Sequence, residues 1–135
     1  MKINLKFNGH VISASLADNA TAREFAAMLP MTLTMHDLFG REKFGALPGP
    51  LSCQGTRTAV CAVGDLVCWT AGPDLTVFHR PDERPVSGGF QFLGRIDAGA
   101  ETFSVPGALE VTVERAASVA HSFQLKPAAD AAQSA

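Results

Sequence analysis

The stretch Asp18–Pro48, reading D-N-A-T-A-R-E-F-A-A-M-L-P and then M-T-L-T-M-H-D-L-F-G-R-E-K-F-G-A-L-P, sets the architecture of the chain. Thr21 is a good helix N-cap, and Glu24 three residues later completes a capping box that satisfies two backbone N–H groups. Ala22, Phe25, Ala26 and Leu29 recur at helical spacing and form one apolar face. Pro30 ends the helix, because proline lacks an N–H and disfavours helical geometry in the residue before it. Met31, Leu33 and Met35 then alternate with Thr32, Thr34 and His36, the period of a strand with one buried side. A helix of little more than two turns is marginal alone, so it is expected to close the open end of a sheet.

The flanking segments repeat the strand pattern. Ile3, Leu5 and Phe7 alternate with polar residues up to Asn8-Gly9, a pair suited to a tight hairpin because both residues tolerate positive φ. Ile12, Ala14 and Leu16 resume the alternation. Beyond the opening stretch, Phe44–Leu47 reads as a short strand, and Pro48 to Thr58 reads as an irregular loop. Ala59–Val63 is apolar throughout, Gly64-Asp65 turns, and Leu66–Thr70 continues. Ala71-Gly72-Pro73-Asp74 is another turn, after which Leu75, Val77 and His79 alternate with Thr76, Phe78 and Arg80. A polar loop from Pro81 to Gly89 leads to Phe90–Ile96, and Pro106-Gly107 precedes the alternation of Leu109, Val111 and Val113. About eight short strands punctuated by Gly and Pro, with one or two short capping helices, predict a mostly β fold. A closed barrel is favoured because it leaves no edge strands. The domain is expected to span residues 1–126, with 127–135 (P-A-A-D-A-A-Q-S-A) as a disordered tail.

Composition narrows the function classes. With 47% hydrophobic and 18% charged residues, the chain of 135 residues lies far from the regime of disorder and fits one domain. A net charge of -2 without a Lys/Arg run argues against nucleic acid as a partner. No apolar run reaches the roughly 18 residues of a membrane span. The N-terminal M-K-I-N-L-K-F-N-G reaches a turn before any apolar core of a signal peptide forms, so a cytoplasmic location is expected. Cys53, Cys61 and Cys68 are an odd number and are read as reduced, buried thiols. They lack the close pairs of a zinc site, and His10, His36, His79 and His121 are scattered, so neither a metal nor a cofactor is expected.

Four motifs carry a resemblance: T-A-R-E-F-A-A-M-L-P (Thr21–Pro30), F-G-R-E-K-F-G-A-L-P (Phe39–Pro48), G-D-L-V-C-W (Gly64–Trp69) and F-L-G-R-I-D-A-G (Phe92–Gly99). In that order they resemble the bacterial cyclophilin-like domain family, small proteins of mostly unassigned function, over Ile3–Glu114. The resemblance implies a cyclophilin-like barrel of eight strands with helical caps. True cyclophilins are peptidyl-prolyl isomerases marked by F-H-R followed by P-G-F-M-x-Q-G-G. Phe78-His79-Arg80 repeats the triplet, but it follows A-G-P-D-L-T-V, which is similar to a later cyclophilin strand. On that alignment Phe78 falls at an apolar pocket position and Arg80 is not the catalytic arginine. Pro48–Gly55, P-G-P-L-S-C-Q-G, resembles the second motif only with an inserted residue.

Each candidate has a plainer alternative. Arg41-Glu42-Lys43 is either the lining of a ligand groove, with arginine as the anion binder, or a solvated charged turn. Trp69 is either a pocket wall or core. His36 and His79 are of a residue type suited to acid–base work near neutral pH, yet neither has a neighbouring Asp, Ser or Cys at a spacing that suggests a triad. His36 and Asp37 are adjacent in a strand and point to opposite faces. Ser87-Gly88-Gly89 does not open a helix and is no phosphate loop. The reading adopted is a protein that binds a small molecule or peptide segment in a shallow groove between Arg41–Leu47 and the strand carrying Phe78. Its candidate lining is Arg41, Phe44, Leu47, Trp69, Phe78 and Arg80, with no catalytic residue. The alternatives are a peptidyl-prolyl isomerase and a structural or subunit-interaction module, with a homo-oligomer left open.

Overall fold

The computed structural model describes residues 1–51, 62–69, 74–80 and 90–116. The expectations for Cys53, Cys61, the Ala71-Gly72-Pro73 turn, the Pro81 to Gly89 loop with its Ser87-Gly88-Gly89, and the tail all lie outside them, as does most of the Pro48–Thr58 loop. Eight strands follow one another as β1 (Lys2–Phe7), β2 (His10–Leu16), β3 (Met31–Leu38), β4 (Glu42–Ala46), β5 (Asp65–Trp69), β6 (Asp74–Phe78), β7 (Phe90–Ile96) and β8 (Leu109–Arg115). They close into a barrel in the order β1-β2-β7-β5-β6-β4-β3-β8, every pair antiparallel. Closure leaves no unpaired edge, which is how the sequence reconciles so many short strands with solubility of each backbone group.

Alternation sorts the side chains as the period of two demands. Ile3, Leu5 and Phe7 of β1, Met31, Leu33 and Met35 of β3, and Leu109, Val111 and Val113 of β8 fill one interior core. The opposite faces of β5, β6 and β7 gather a second, outer apolar cluster of Val67, Phe78 and Phe90, against which Trp69 and Phe92 pack. At Gly94 a Cβ would stand 2.3 Å from the Ser15 carbonyl oxygen. Only glycine lets β7 pass that close to β2.

The helix α1 (Ala20–Ala27) lies between β2 and β3, with Phe25 fully buried in the interior core. Its N-cap corrects the expectation for Thr21. Asn19 is extended at φ -142 and its Oδ1 accepts from the Ala22 N–H, whereas Thr21 is buried within the first turn. The reason is tertiary: Asn19 Nδ2 also donates to the Phe92 carbonyl at 3.1 Å, so this residue ties the helix start to β7. At the helix end, Arg115 Nη2 donates to the Ala26 carbonyl at 2.9 Å. The other end of the barrel is closed by a 3₁₀ turn, Ala100–Phe103. There the Phe103 ring lies 4.5 Å from that of Phe7. Among the described residues no helix is long and apolar enough to cross a membrane.

Candidate functional site

The segment between β3 and β4 departs most from its sequence reading. Arg41-Glu42-Lys43 is not a solvated turn: Arg41 is 8% exposed, and Glu42 and Lys43 are fully buried. The turn itself is Phe39-Gly40, at φ 58 and 63, so the charges that follow it already belong to β4. In antiparallel pairs, residues directly opposite share a face. Glu42 stands opposite Phe78 and Phe44 opposite Thr76, both on the outer wall, while Lys43 stands opposite Val77 and Asp37, both directed to the interior.

On the outer wall, Arg41 Nε donates to Glu42 Oε1 at 2.8 Å and Nη2 donates to the same oxygen. The guanidinium carbon lies 5.8 Å from the centre of the Phe39 ring and 5.6 Å from that of Phe78, within cation–π range of both. The Nη1 edge makes no hydrogen bond among the described residues. Phe39 is 65% exposed. A bulky residue at positive φ is held there against roughly 1–2 kcal/mol of steric cost, so its position is imposed by the turn. Further along the wall Trp69 Nε1 donates to Thr76 Oγ1 at 2.9 Å, and the Trp69 ring meets Phe90 edge-on with centroids 5.4 Å apart. Phe44 leans on His36 at 5.9 Å.

Four of the six candidates, Arg41, Phe44, Trp69 and Phe78, thus share one outer surface formed by β4, β6 and β5. Because β4 and β6 are hydrogen-bonded neighbours, they form a continuous wall and not the two banks of a groove. Leu47 is buried in the interior core and does not reach the wall. Arg80 is exposed just beyond β6, its N–H bonded to the Arg41 carbonyl at 3.3 Å.

Behind the wall lies a polar network that sequence spacing did not suggest. His79 Nε2 is 3.0 Å from Asp37 Oδ1, and His79 Nδ1 is 2.7 Å from Ser104 Oγ. Lys43 Nζ stands 3.3 Å from Asp37 Oδ1 and donates to the carbonyls of Val105 and Gly107 at 2.5 and 2.7 Å. Burial opposes ionisation of Asp37, but the hydrogen bonds from His79 and Lys43, the ammonium charge and the Gly40 N–H together hold its carboxyl below the ordinary value. Burial pushes His79 the same way, below its ordinary value, against the pull of Asp37. The ring is therefore neutral at pH 7. Since a carboxylate only accepts, Nε2 carries the proton and Nδ1 is the acceptor. Parity was the available signal: Asp37 extends the inward series Met31-Leu33-Met35, and His79 extends Leu75-Val77.

A concavity of about 340 Å³ lies apart from this wall, beside α1, lined by Leu16, Ala17, Ala22, Ala26 and Arg115 among others, and contains none of the candidate residues. No group of three or more His, Cys, Asp or Glu among the described residues is placed to hold a metal ion.

Comparison with known proteins adds three findings. The family model described as "Cyclophilin-like family" matches residues 5–114. The solution structure of a hypothetical protein from Archaeoglobus fulgidus superimposes with a TM-score of 0.63 at 21% identity, covering 86% of this chain and 95% of that one; at that identity the likeness is one of fold. No curated protein matches the chain.

Proposed function

The chain belongs to the cyclophilin-like family, and from that premise we propose that it is a cytoplasmic binding protein holding a peptide segment or small molecule on the outer wall of β4, β6 and β5. One observation carries the reading. The Arg41 guanidinium is held through Nε and Nη2 by Glu42 and flanked by Phe39 and Phe78, while its Nη1 makes no hydrogen bond among the described residues. A donor fixed beside aromatic faces recognises an acceptor oxygen attached to an apolar body. Because Glu42 already compensates the arginine charge, a neutral carbonyl suits the site as well as an anion does. Trp69, half-buried in the same outer cluster, supplies an intrinsic reporter.

The test is a fluorescence titration of Trp69 with short proline-containing peptides and with a panel of carbonyl-bearing small molecules. Saturable change with at least one of them, abolished in an Arg41→Ala protein whose circular dichroism is unaltered, supports the reading. Absence of any saturable change, or a change indifferent to Arg41→Ala, overturns it.

The same donor favours a second reading, peptidyl-prolyl isomerisation. That reaction needs no nucleophile, only a donor and an apolar surface that lower a rotation barrier of about 18–20 kcal/mol. The exposed position of Arg80, outside the wall, leaves Arg41 as the donor such an activity would use.

A further inference from the structure

The polar network at the end of the barrel closed by the 3₁₀ turn is not used by the binding wall. Its parts arrive on separate elements. Asp37 comes from β3, Lys43 from β4, His79 from the residue after β6, and Ser104 from the residue after the 3₁₀ turn. Ser104 is half-buried and His79 almost fully buried. With the ring neutral and its proton on Nε2, the Ser104 hydroxyl has Nδ1 as its nearest acceptor at 2.7 Å, the His79 carbonyl being farther at 3.3 Å. Lys43 anchors both ends of this arrangement, bonding Asp37 and the backbone that follows Ser104. Among the described residues, Arg80 is the remaining charge near the ring. The turns bearing Asp37 and Ser104 run on into exposed Phe39 and Val105, so the polar centre has an apolar rim. Phe39 holds a positive φ, the kind of local strain that gathers at functional sites.

We propose that Ser104, His79 and Asp37 form an acyl-transfer site, with short apolar esters as its substrate class. Ser104 Oγ forms a bond to the acyl carbon as its proton passes to His79 Nδ1, and Asp37 holds the resulting imidazolium through Nε2–H. The ester C–O bond then breaks, and the leaving alkoxide takes the proton from Nδ1. Water, deprotonated by the same nitrogen, adds to the acyl carbon; the bond to Ser104 Oγ breaks, Oγ takes the proton back from Nδ1, and the carboxylic acid leaves. The roles of the two ring nitrogens are exchanged relative to the serine-protease arrangement, but the sequence nucleophile, base and orienting carboxylate is complete.

The full-length protein is incubated with an alkyl fluorophosphonate, the adduct is located by peptide mass mapping, and hydrolysis of p-nitrophenyl butyrate is followed in parallel. A single adduct on Ser104 is expected, absent in Ser104→Ala. Its rate should be flat above about pH 6.5 and fall at lower pH as the ring takes up a proton. His79→Gln should slow labelling about a hundredfold or more, the usual effect of losing a general base. If His79→Gln does not fold, Asp37→Asn, half-exposed at the rim, carries the same test and should slow labelling at least tenfold. No adduct on Ser104 in the folded protein overturns the proposal, as does a Ser104 adduct whose rate ignores both pH and Asp37→Asn.

Discussion

His79 Nε2 lies 3.0 Å from Asp37 Oδ1 across 42 residues of sequence and across the barrel wall, since β4 separates β3 from β6. Burial of the His79 ring outweighs the pull of this contact and makes stability depend on pH in a definite direction. Folded His79 protonates only below its ordinary value of 6.5, so the unfolded chain binds the proton first. Its contribution is complete above about pH 6.5 and is lost as pH falls from there through the folded value. Asp37, held below 3.8, adds a further loss at still lower pH. Urea midpoints measured from pH 8 to 4 should therefore decline on the acid side, and His79→Gln should flatten the decline that begins below about pH 6.5. A wild-type midpoint that rises on acidification would contradict the buried neutral ring.

Lys43 is fully buried and joins Asp37 to the Val105 and Gly107 carbonyls. Lys43→Met keeps the volume but leaves two backbone acceptors unbonded and removes one of several partners of Asp37. Leaving a buried acceptor unsatisfied costs about 1–3 kcal/mol. Urea denaturation should show a loss of that size, accompanied by faster amide exchange in residues 104–108. A loss below about 1 kcal/mol would mean that the ammonium is not seated as described.

The helix cap is a smaller and more local test. Asn19→Ala removes the acceptor for the Ala22 N–H and should lower stability by about 1 kcal/mol. Arg23→Ala breaks only an exposed pair with Asp18 and should change the midpoint little. Equal shifts in the two variants would place the helix start elsewhere.

Phe39 opposes stability to recognition. Asn tolerates positive φ far better than Phe, so Phe39→Asn should raise stability by up to about 1 kcal/mol, read from the thermal or urea midpoint. The same change removes one face of the Arg41 clasp and should weaken any ligand that perturbs Trp69. A destabilised variant, or one with unchanged binding, would remove Phe39 from the site.

In a protease-coupled assay on an Ala-Pro peptide, isomerisation should run near the uncatalysed rate, tens of seconds at room temperature. Rate enhancement that is lost in Arg41→Ala would promote the isomerase reading over simple binding, because losing a positioned donor costs about a hundredfold.

Local pattern was enough for much of this fold. Ile3-Leu5-Phe7, Met31-Leu33-Met35 and Leu109-Val111-Val113 show a period of two that can bury only one side, and Asn8-Gly9 turns where its residues accept positive φ. The proline stop, the short apolar helix and the count of strands follow from the same short-range rules, and they lead to a barrel. Tertiary structure alone decided where the charges went. In sequence alone Arg41-Glu42-Lys43 reads as either a groove lining or a solvated turn, because burying a charge is favourable only if a partner waits across the fold, and the Lys43 partners Asp37, Val105 and Gly107 come from other strands and turns. Asn19 displaced Thr21 as the cap because β7 offered it a second hydrogen bond. The Asp37, His79 and Ser104 side chains, far apart in the chain, meet only because a closed barrel brings the end of β3, the end of β6 and the start of β8 to one rim. No spacing along the chain encodes that meeting, since it is fixed by register between strands and not by the distance from one residue to the next.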